Sequence, residues 1–146
     1  MDDFMKAAIE EAQAGLREGG IPIGSVLVRN NRIVGRGRNR RMQDHDPVAH
    51  AEIDCLRNAG RIGGYAGAVL YSTLTPCFMC AGAAVQFGIR KIVIADTETY
   101  ADTLGFLQSH GIEVDALAIA DVTRMLADFA VAHPDLWKED SGDDSA

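Results

Sequence analysis

Residues 68–88, AVLYSTLTPCFMCAGAAVQFG, hold the pattern that decides the fold. The apolar run 68–74 is typical of a buried strand, and the apolar segment after it, closed by a glycine, is typical of a helix. Pro76 and Cys77 lie at the turn, where proline suits the start of a helix. A strand that leads directly into a helix is the repeating unit of α/β proteins. Cys77 and Cys80 open this helix three residues apart, so they call for a chemical explanation.

The segments on either side complete an alternating order of helices and strands. Helical or strand-like spacing of apolar residues assigns helix 3–18, strands 23–28 and 32–37, helix 50–60, strand 68–74, helix 77–88, strand 91–96, helix 103–111, strand 113–119 and helix 121–133. This order predicts an α/β fold: a three-layer α/β/α sandwich around one mixed five-stranded sheet. We expect a single domain over residues 1–140, with the segment 134–140 beyond the last regular helix and an acidic, disordered tail at 141–146.

Charge and composition exclude several classes of protein. The chain of 146 residues has a formal net charge of −7, which disfavours binding to nucleic acid because phosphates need clustered Lys and Arg. Six arginines do lie between Arg29 and Arg41, and we interpret them as solvated positions on a strand pair. No apolar run is long enough to cross a bilayer, and the acidic N-terminus is unlike a signal peptide, so we expect a cytoplasmic protein.

Local sequence leaves two interpretations of the cysteine pair open. A helix N-terminus lowers the pKa of a thiol, and both a redox pair and a zinc site require thiolates. The motif HAE at 50–52 separates them, because His50 with Cys77 and Cys80 supplies the three protein ligands of a catalytic zinc. Glu52 is a poor fourth ligand, since i and i+2 do not share a helix face, but it can reach a water at the metal.

The joint pattern His-x-Glu and Pro-Cys-x-x-Cys is the known signature of zinc nucleobase deaminases. It favours a zinc hydrolase over a thioredoxin-like redox pair, which does not need the HAE motif. A structural zinc module remains as a non-enzymatic alternative, but it requires a fourth protein ligand. Cys55 and His45 are the nearby candidates and neither is well placed; we expect Cys55 to be a core thiol and His45 to be solvated.

With these motifs in place, the chain resembles the cytidine/deoxycytidylate deaminase superfamily, and most closely its fungal-type cytosine deaminases. The likeness runs in order through EEAQAGLREGGIPIG (10–24), GRGRNRR (35–41), HAEIDCLRNAGRI (50–62), LYSTLTPCFMCAGA (70–83) and HPDLWKED (133–140). The resemblance implies one zinc ion per chain, a homodimer, and conversion of the free base cytosine to uracil and ammonia in pyrimidine salvage. Deamination of guanine, isocytosine or another small aminated heterocycle is the alternative, and tRNA adenosine deamination is disfavoured by the acidic chain.

The resemblance also assigns roles to individual residues. It implies zinc ligation by His50, Cys77 and Cys80, proton transfer by Glu52, base contacts from Asn39, Asp140 and the backbone N–H of Ala51, and pocket walls from Ile23, Tyr100 and Trp137. Ala51, Tyr100 and Ser141 replace a glycine, a phenylalanine and an apolar residue of the fungal pattern, and the two added hydroxyls bear on the substrate. Trp137 and Asp140 either pack the C-terminus or close a lid over the base.

Overall fold

The structure, a computed structural model, describes residues 2–142. In chain order its elements are α1 (Asp3–Arg17), β1 (Gly24–Arg29), β2 (Arg32–Arg38), α2 (Ala51–Ala59), β3 (Ala68–Leu74), α3 (Phe78–Phe87), β4 (Lys91–Asp96), α4 (Leu104–Ser109), β5 (Glu113–Ala116), α5 (Ala120–Ala132) and α6 (Pro134–Ser141). The helix α6 includes Ser141, so this residue is not part of a disordered tail. Residues 143–146 of the predicted tail lie outside the described residues.

The five strands form one mixed sheet in the order β2-β1-β3-β4-β5. Strand β1 is antiparallel to both β2 and β3, whereas β3, β4 and β5 are parallel. The central register brings Leu27, Leu70 and Ile92 side by side across three strands. The mixed five-stranded sheet predicted from the sequence is therefore confirmed.

Helices cover both faces of the sheet, because successive side chains of each strand point to opposite faces. On one face Val26, Tyr71 and Val93 pack in a core cluster with residues of α1 and α5. On the other face Leu70 and Ile92 pack in a second cluster with residues of α2, α3 and α4. The predicted three-layer α/β/α sandwich is confirmed.

Two glycines of β2 set the position of α2, the helix that carries the HAE motif. A Cβ atom at Gly37 would lie 2.2 Å from the backbone nitrogen of Cys55, and one at Gly35 would lie 2.7 Å from the side chain of Ala59. The backbones of β2 and α2 are thus in direct contact, a distance that only glycine allows. Asp54 of α2 also accepts hydrogen bonds from the backbone N–H of Arg38 (3.1 Å) and from Arg40 Nε (3.2 Å).

Two predicted elements differ from the structure at the C-terminal end of the chain. Strand β5 ends at Ala116 rather than at 119, because Ala118 adopts a φ of 55° and a left-handed residue ends an extended strand. The segment 134–140 was expected beyond the last helix, and this prediction is wrong. His133 ends α5, and Pro134 begins α6 at a first-turn position that favours proline. Within residues 2–142, each helix is too short or too polar to cross a lipid bilayer.

Candidate active site and metal centre

The N-termini of α2 and α3 meet at one point of the molecule. His50 is the N-cap of α2 and Cys77 is the N-cap of α3, and neither side chain caps its own helix. One ligand atom from each of His50, Cys77 and Cys80 lies within 4.8 Å of the other two. The positive ends of two helix dipoles therefore face these three side chains and favour the thiolate form of the cysteines.

The three side chains fit a zinc ion. His50 Nδ1 lies 3.3 Å from Cys77 Sγ, close to the separation of about 3.5 Å expected for neighbouring ligands of a tetrahedral zinc. The other ring nitrogen, Nε2, lies 3.2 Å from Asp140 Oδ1. Zinc-ligating histidines commonly donate their second ring N–H to a carboxylate, which fixes the tautomer and the ring orientation. Nδ1 of His50 is thus the nitrogen that is free to bind metal.

The pKa values of the two cysteines and the histidine show that the three side chains are electrostatically coupled. A hydrogen bond from Cys80 and the neighbouring His50 lower the pKa of Cys77 to about 4. The neighbouring Cys77 thiolate and burial raise the pKa of Cys80. Burial lowers the pKa of His50, but its bond to Cys77 and the charge of Asp140 outweigh burial and raise it to about 9. The negative groups around His50 thus favour a positive charge at this point, and a zinc ion would replace the protons on His50 and Cys80.

Glu52 lies in the first turn of α2, beside the three ligands. Its side chain is buried, and desolvation followed by the negative charge of Cys77 raises its pKa to about 7. The shift has the direction expected for a carboxyl group in a closed pocket. A group with this pKa can both accept and return a proton near neutral pH.

Nine of the ten site residues predicted from the sequence line a single cavity. They are Ile23, Asn39, His50, Ala51, Glu52, Cys77, Tyr100, Trp137 and Asp140. Cys80 lies behind the cavity wall, 1% exposed. Leu74 and Thr75 also line the cavity, and sequence reasoning missed them although they directly precede the Pro-Cys motif. Ser141, noted as a departure from the fungal pattern, completes the lining.

A polar network joins α6 to this cavity. Asp140 Oδ1 accepts a hydrogen bond from Asn39 Nδ2 (2.9 Å) besides its contact with His50. Asn39 Oδ1 in turn accepts from the backbone N–H of Arg41 (3.0 Å), so both ends of the Asn39 amide are fixed. The contact between His50 and Asp140, which are 90 positions apart, has no signal in the local sequence.

Tyr100 reaches the cavity from the loop after β4. Asp96, fully buried, accepts hydrogen bonds from the backbone N–H of Glu98 (2.8 Å) and from the hydroxyl of Thr99 (2.5 Å). Thr103 ties the far end of the loop to the carbonyl of Pro76, with a distance of 2.6 Å. The Tyr100 hydroxyl makes no hydrogen bond with residues 2–142. Tyr100 therefore adds a hydroxyl group to the wall of the cavity.

The other cysteine and the solvated histidines do not join the site. Cys55 is buried in the core, where burial raises the pKa of its thiol to about 12. His45 is exposed, as expected from the sequence, and His110 is exposed as well. Among the residues that the structure describes, the three-residue set around His50 is the one cluster suited to a metal. A fourth protein ligand, which a structural zinc module requires, is not part of it.

The arginine cluster of β2 and the following loop is paired with acidic side chains. The ion pairs join Arg36 to Glu10 and Glu11, Arg38 to Glu11 and Glu18, Arg40 to Asp54, and Arg41 to Glu139. Arg29 instead donates to the backbone carbonyls of Ile62 and Gly64. Most of the cluster is thus neutralised within the fold, which differs from the expected solvated strand pair.

Three ligands at two helix N-termini, with a buried carboxyl group beside them, define a hydrolytic metal centre. Residues 1–96 match the cytidine and deoxycytidylate deaminase zinc-binding region. The cytosine deaminase of Candida albicans is 34% identical over 142 residues, which cover 95% of each chain. The chain belongs to the cytidine and deoxycytidylate deaminase family, a family of zinc enzymes.

Relatives with a different substrate are similar over a smaller part of the chain. A tRNA-specific adenosine deaminase of Buchnera aphidicola is 45% identical over 93 residues, which cover 62% of this chain and 57% of that protein. A solved structure from a study of A-to-I editing by tRNA:A34 deaminases has a TM-score of 0.74 and 32% identity. It covers 85% of this chain and 99% of the other. The family is therefore established more firmly than the substrate.

Proposed function

We propose that the protein deaminates a free nucleobase by hydrolysis, with cytosine as the substrate and uracil and ammonia as the products. A small cavity that holds Glu52 beside the ligand residues is the observation that carries this proposal. Its volume of about 30 Å³ is far below the roughly 300–1,000 Å³ of ligand pockets in general. One wall must therefore move to admit even a planar ring, and a nucleoside requires room for a ribose as well.

The residues around the cavity have the chemistry that hydrolytic deamination needs. Zinc bound by the histidine and the two cysteines supplies the Lewis acidity that activates water at neutral pH. Glu52 accepts a proton from the attacking water and transfers it to the ring nitrogen beside the aminated carbon. The same carboxylate then takes the second proton of that water from the hydroxyl group now on the ring carbon and passes it to the amine. The C–N bond breaks, a carbonyl forms on the ring, and the amine leaves as ammonia.

The polar and apolar walls orient the ring. Asn39 contacts the pyrimidine edge, and the backbone N–H of Ala51, free at the first position of α2, donates to the base. Asp140 accepts a hydrogen bond from the exocyclic amine, while Trp137 and Ile23 cover the ring. The exclusion of water strengthens each of these polar contacts.

Deamination of adenosine in tRNA is the second candidate, because relatives with that activity share the zinc-binding region. The charge distribution supports the free base instead. A tRNA-binding face needs unpaired Lys and Arg side chains for phosphates, and four arginines of the cluster 29–41 are engaged with acidic residues. The net charge of −7 adds a long-range repulsion of polyanions.

Ammonia release over a panel of substrates tests the proposal. The panel contains cytosine, 5-methylcytosine, isocytosine, guanine, adenine, cytidine and a tRNA with adenosine in the anticodon. We expect cytosine to have the highest kcat/KM. The kcat/KM of cytidine should be lower by a factor of about 100 or more, because the cavity has no room for the ribose. A preference for guanine or isocytosine would change the substrate within the same class, and turnover of tRNA alone would refute the proposal.

We also propose that two copies of the chain form a homodimer through α3. Phe78, Met79 and Phe87 of this helix are 60%, 38% and 48% exposed. Phe78 packs edge-on against Phe106 of α4, and Phe87 stacks on Tyr65, so the exposed apolar surface is continuous with ordered aromatic rings. Aromatic residues and methionine are enriched in protein interfaces, and a second copy covers such a surface by two-fold symmetry.

A further inference from the structure

The helix α6 carries two residues of the cavity wall but is held by few contacts. None of its eight residues is fully buried. His133 separates it from α5 with backbone angles of φ −135° and ψ 65°, which belong to neither helix. Leu136 and Trp137 pack against the core only in part. The position of α6 therefore depends on polar contacts near its C-terminal end.

Arg41 supplies one of these contacts from the opposite rim of the cavity. Its Nη1 donates to the carbonyl of Pro47 (2.5 Å), and its Nη2 lies 3.3 Å from Glu139 Oε1. The Arg41 side chain is 15% exposed and that of Glu139 is 58% exposed. One guanidinium group thus joins the loop 39–49 to α6. The backbone N–H of Arg41, which donates to the Asn39 side chain, does not depend on the Arg41 side chain.

We propose that Arg41 is a positioning residue that holds α6 closed over the active cavity through its ion pair with Glu139. Neither residue is among those that line the cavity, so the pair touches no substrate. Glu139 directly precedes Asp140, whose carboxylate contacts His50 and Asn39. The ion pair between Arg41 and Glu139 therefore fixes the turn of α6 that carries Asp140. The role in turnover rests on the proposed function, whereas the closure of α6 does not.

The ion pair is partly exposed, and exposed pairs contribute little to global stability. A contribution of this size is enough to shift an equilibrium between open and closed positions of α6. Loss of the pair therefore changes the fraction of open molecules about two- to fivefold without unfolding the protein. Added salt has the same effect, since it screens exposed charges.

Fluorescence quenching by acrylamide tests the proposal in the zinc-bound full chain. Trp137 is the one tryptophan of the sequence and lies on α6, so its accessibility reports the opening of this helix. The variant is Glu139→Gln, which keeps the shape of the side chain. The matched control is Glu113→Gln, which removes an exposed ion pair of the same 3.3 Å length with Lys91 at the far edge of the sheet. Glu139→Lys adds repulsion of Arg41 and should act more strongly.

We expect the quenching constant to increase about twofold in Glu139→Gln and further in Glu139→Lys, with no change in the control. Salt at 0.5 M should raise it in the parent protein and leave Glu139→Gln unaffected. Equal quenching in the parent and both Glu139 variants overturns the proposal. An equal increase in the control overturns it as well, because the effect is then general loosening.

Kinetics separate this inference from the proposed function. On a substrate that the enzyme deaminates, Glu139→Gln should raise KM two- to fivefold and leave kcat within twofold, since the pair contacts neither the zinc ligands nor Glu52. A tenfold loss of kcat at constant KM contradicts the positioning role. If none of the aminated rings reacts while the quenching pattern holds, the proposed function fails and the closure of α6 by Arg41 stands.

Discussion

At the residue scale, the surroundings of the three cysteines distinguish two zinc ligands, Cys77 and Cys80, from a core residue, Cys55. Cys77→Ser and Cys80→Ser should each lose zinc and activity, because a hydroxyl group is a poor substitute for a thiolate ligand. Cys55→Ser should keep both, since Cys55 packs in the core and donates only a weak hydrogen bond to the Gly35 carbonyl at 3.5 Å. Metal analysis of the purified variants measures the difference, and full zinc in Cys77→Ser would remove that residue from the ligand set.

Glu52 is the residue on which proton transfer depends. Glu52→Gln should bind zinc and fold normally but lose deamination by a factor of about 10²–10⁴, the usual contribution of a general acid–base group. The carboxamide keeps the volume of the buried side chain, yet it cannot carry a proton. Zinc content and melting temperature serve as controls beside the ammonia assay. Turnover close to the parent rate would assign the proton transfer to another group.

Tyr100 brings a hydroxyl group into a wall that the resemblance predicts to be apolar. Burial raises the pKa of this phenol, so it enters the site as a neutral donor. A base without a matching acceptor leaves the hydroxyl group unpaired, at a cost of about 1–3 kcal/mol. Tyr100→Phe should therefore raise kcat/KM for cytosine about 5- to 100-fold. A loss of similar size would show that the hydroxyl group contacts the substrate productively.

At the scale of elements, α6 links the closure of the cavity to the metal centre. Truncation after Pro134 should leave a folded protein, because no residue of α6 is fully buried. It should reduce kcat/KM at least tenfold, since Trp137 and Asp140 are lost from the cavity wall. Circular dichroism and the ammonia assay on the truncated chain measure both effects. Unchanged kinetics would mean that α6 only packs against α5.

Asp140→Asn tests whether Asp140 supports the zinc ligand His50 as well as the substrate. Because Asp140 lies 3.2 Å from His50 Nε2, the substitution should weaken zinc binding as well as turnover, each by about 10- to 100-fold. Competition with a chelator measures the zinc affinity. A variant that loses turnover at unchanged zinc affinity would restrict Asp140 to the substrate amine.

Elements that show a local sequence pattern can be predicted from the sequence, whereas elements stabilised by distant contacts cannot. The strands at 68–74 and 91–96 were predictable because each is a short, nearly continuous run of residues that are buried on both faces of the sheet, a local pattern. The polar segment 134–141 looks like a loop, and its helix is stabilised by contacts with Phe129 and with residues about one hundred positions earlier. The HAE and Pro-Cys motifs identify the residues that ligate the metal. The contact between Asp140 and His50 joins distant parts of the chain and has no local sequence signal.

At the scale of the whole molecule, the α3 surface lies next to the metal ligands. Phe78 follows the ligand Cys77 directly, so a partner that covers Phe78 also shields the N-terminus of α3 from solvent. Dimer formation and metal retention should therefore be coupled. An exposed aromatic surface of this kind is otherwise a risk for aggregation.

Phe87→Glu tests the dimer away from the ligands themselves. The charged side chain should disrupt an apolar interface and give a monomer, whereas Val131→Glu, on the opposite helical layer and 83% exposed before substitution, should leave the dimer intact. Sedimentation equilibrium of the zinc-bound proteins measures the mass, and a chelator challenge measures the rate of zinc loss. We expect faster loss in the Phe87→Glu monomer, because water then reaches the end of α3. A parent protein that is monomeric, or a dimer that survives Phe87→Glu and dissociates with Val131→Glu, would move the interface to another face.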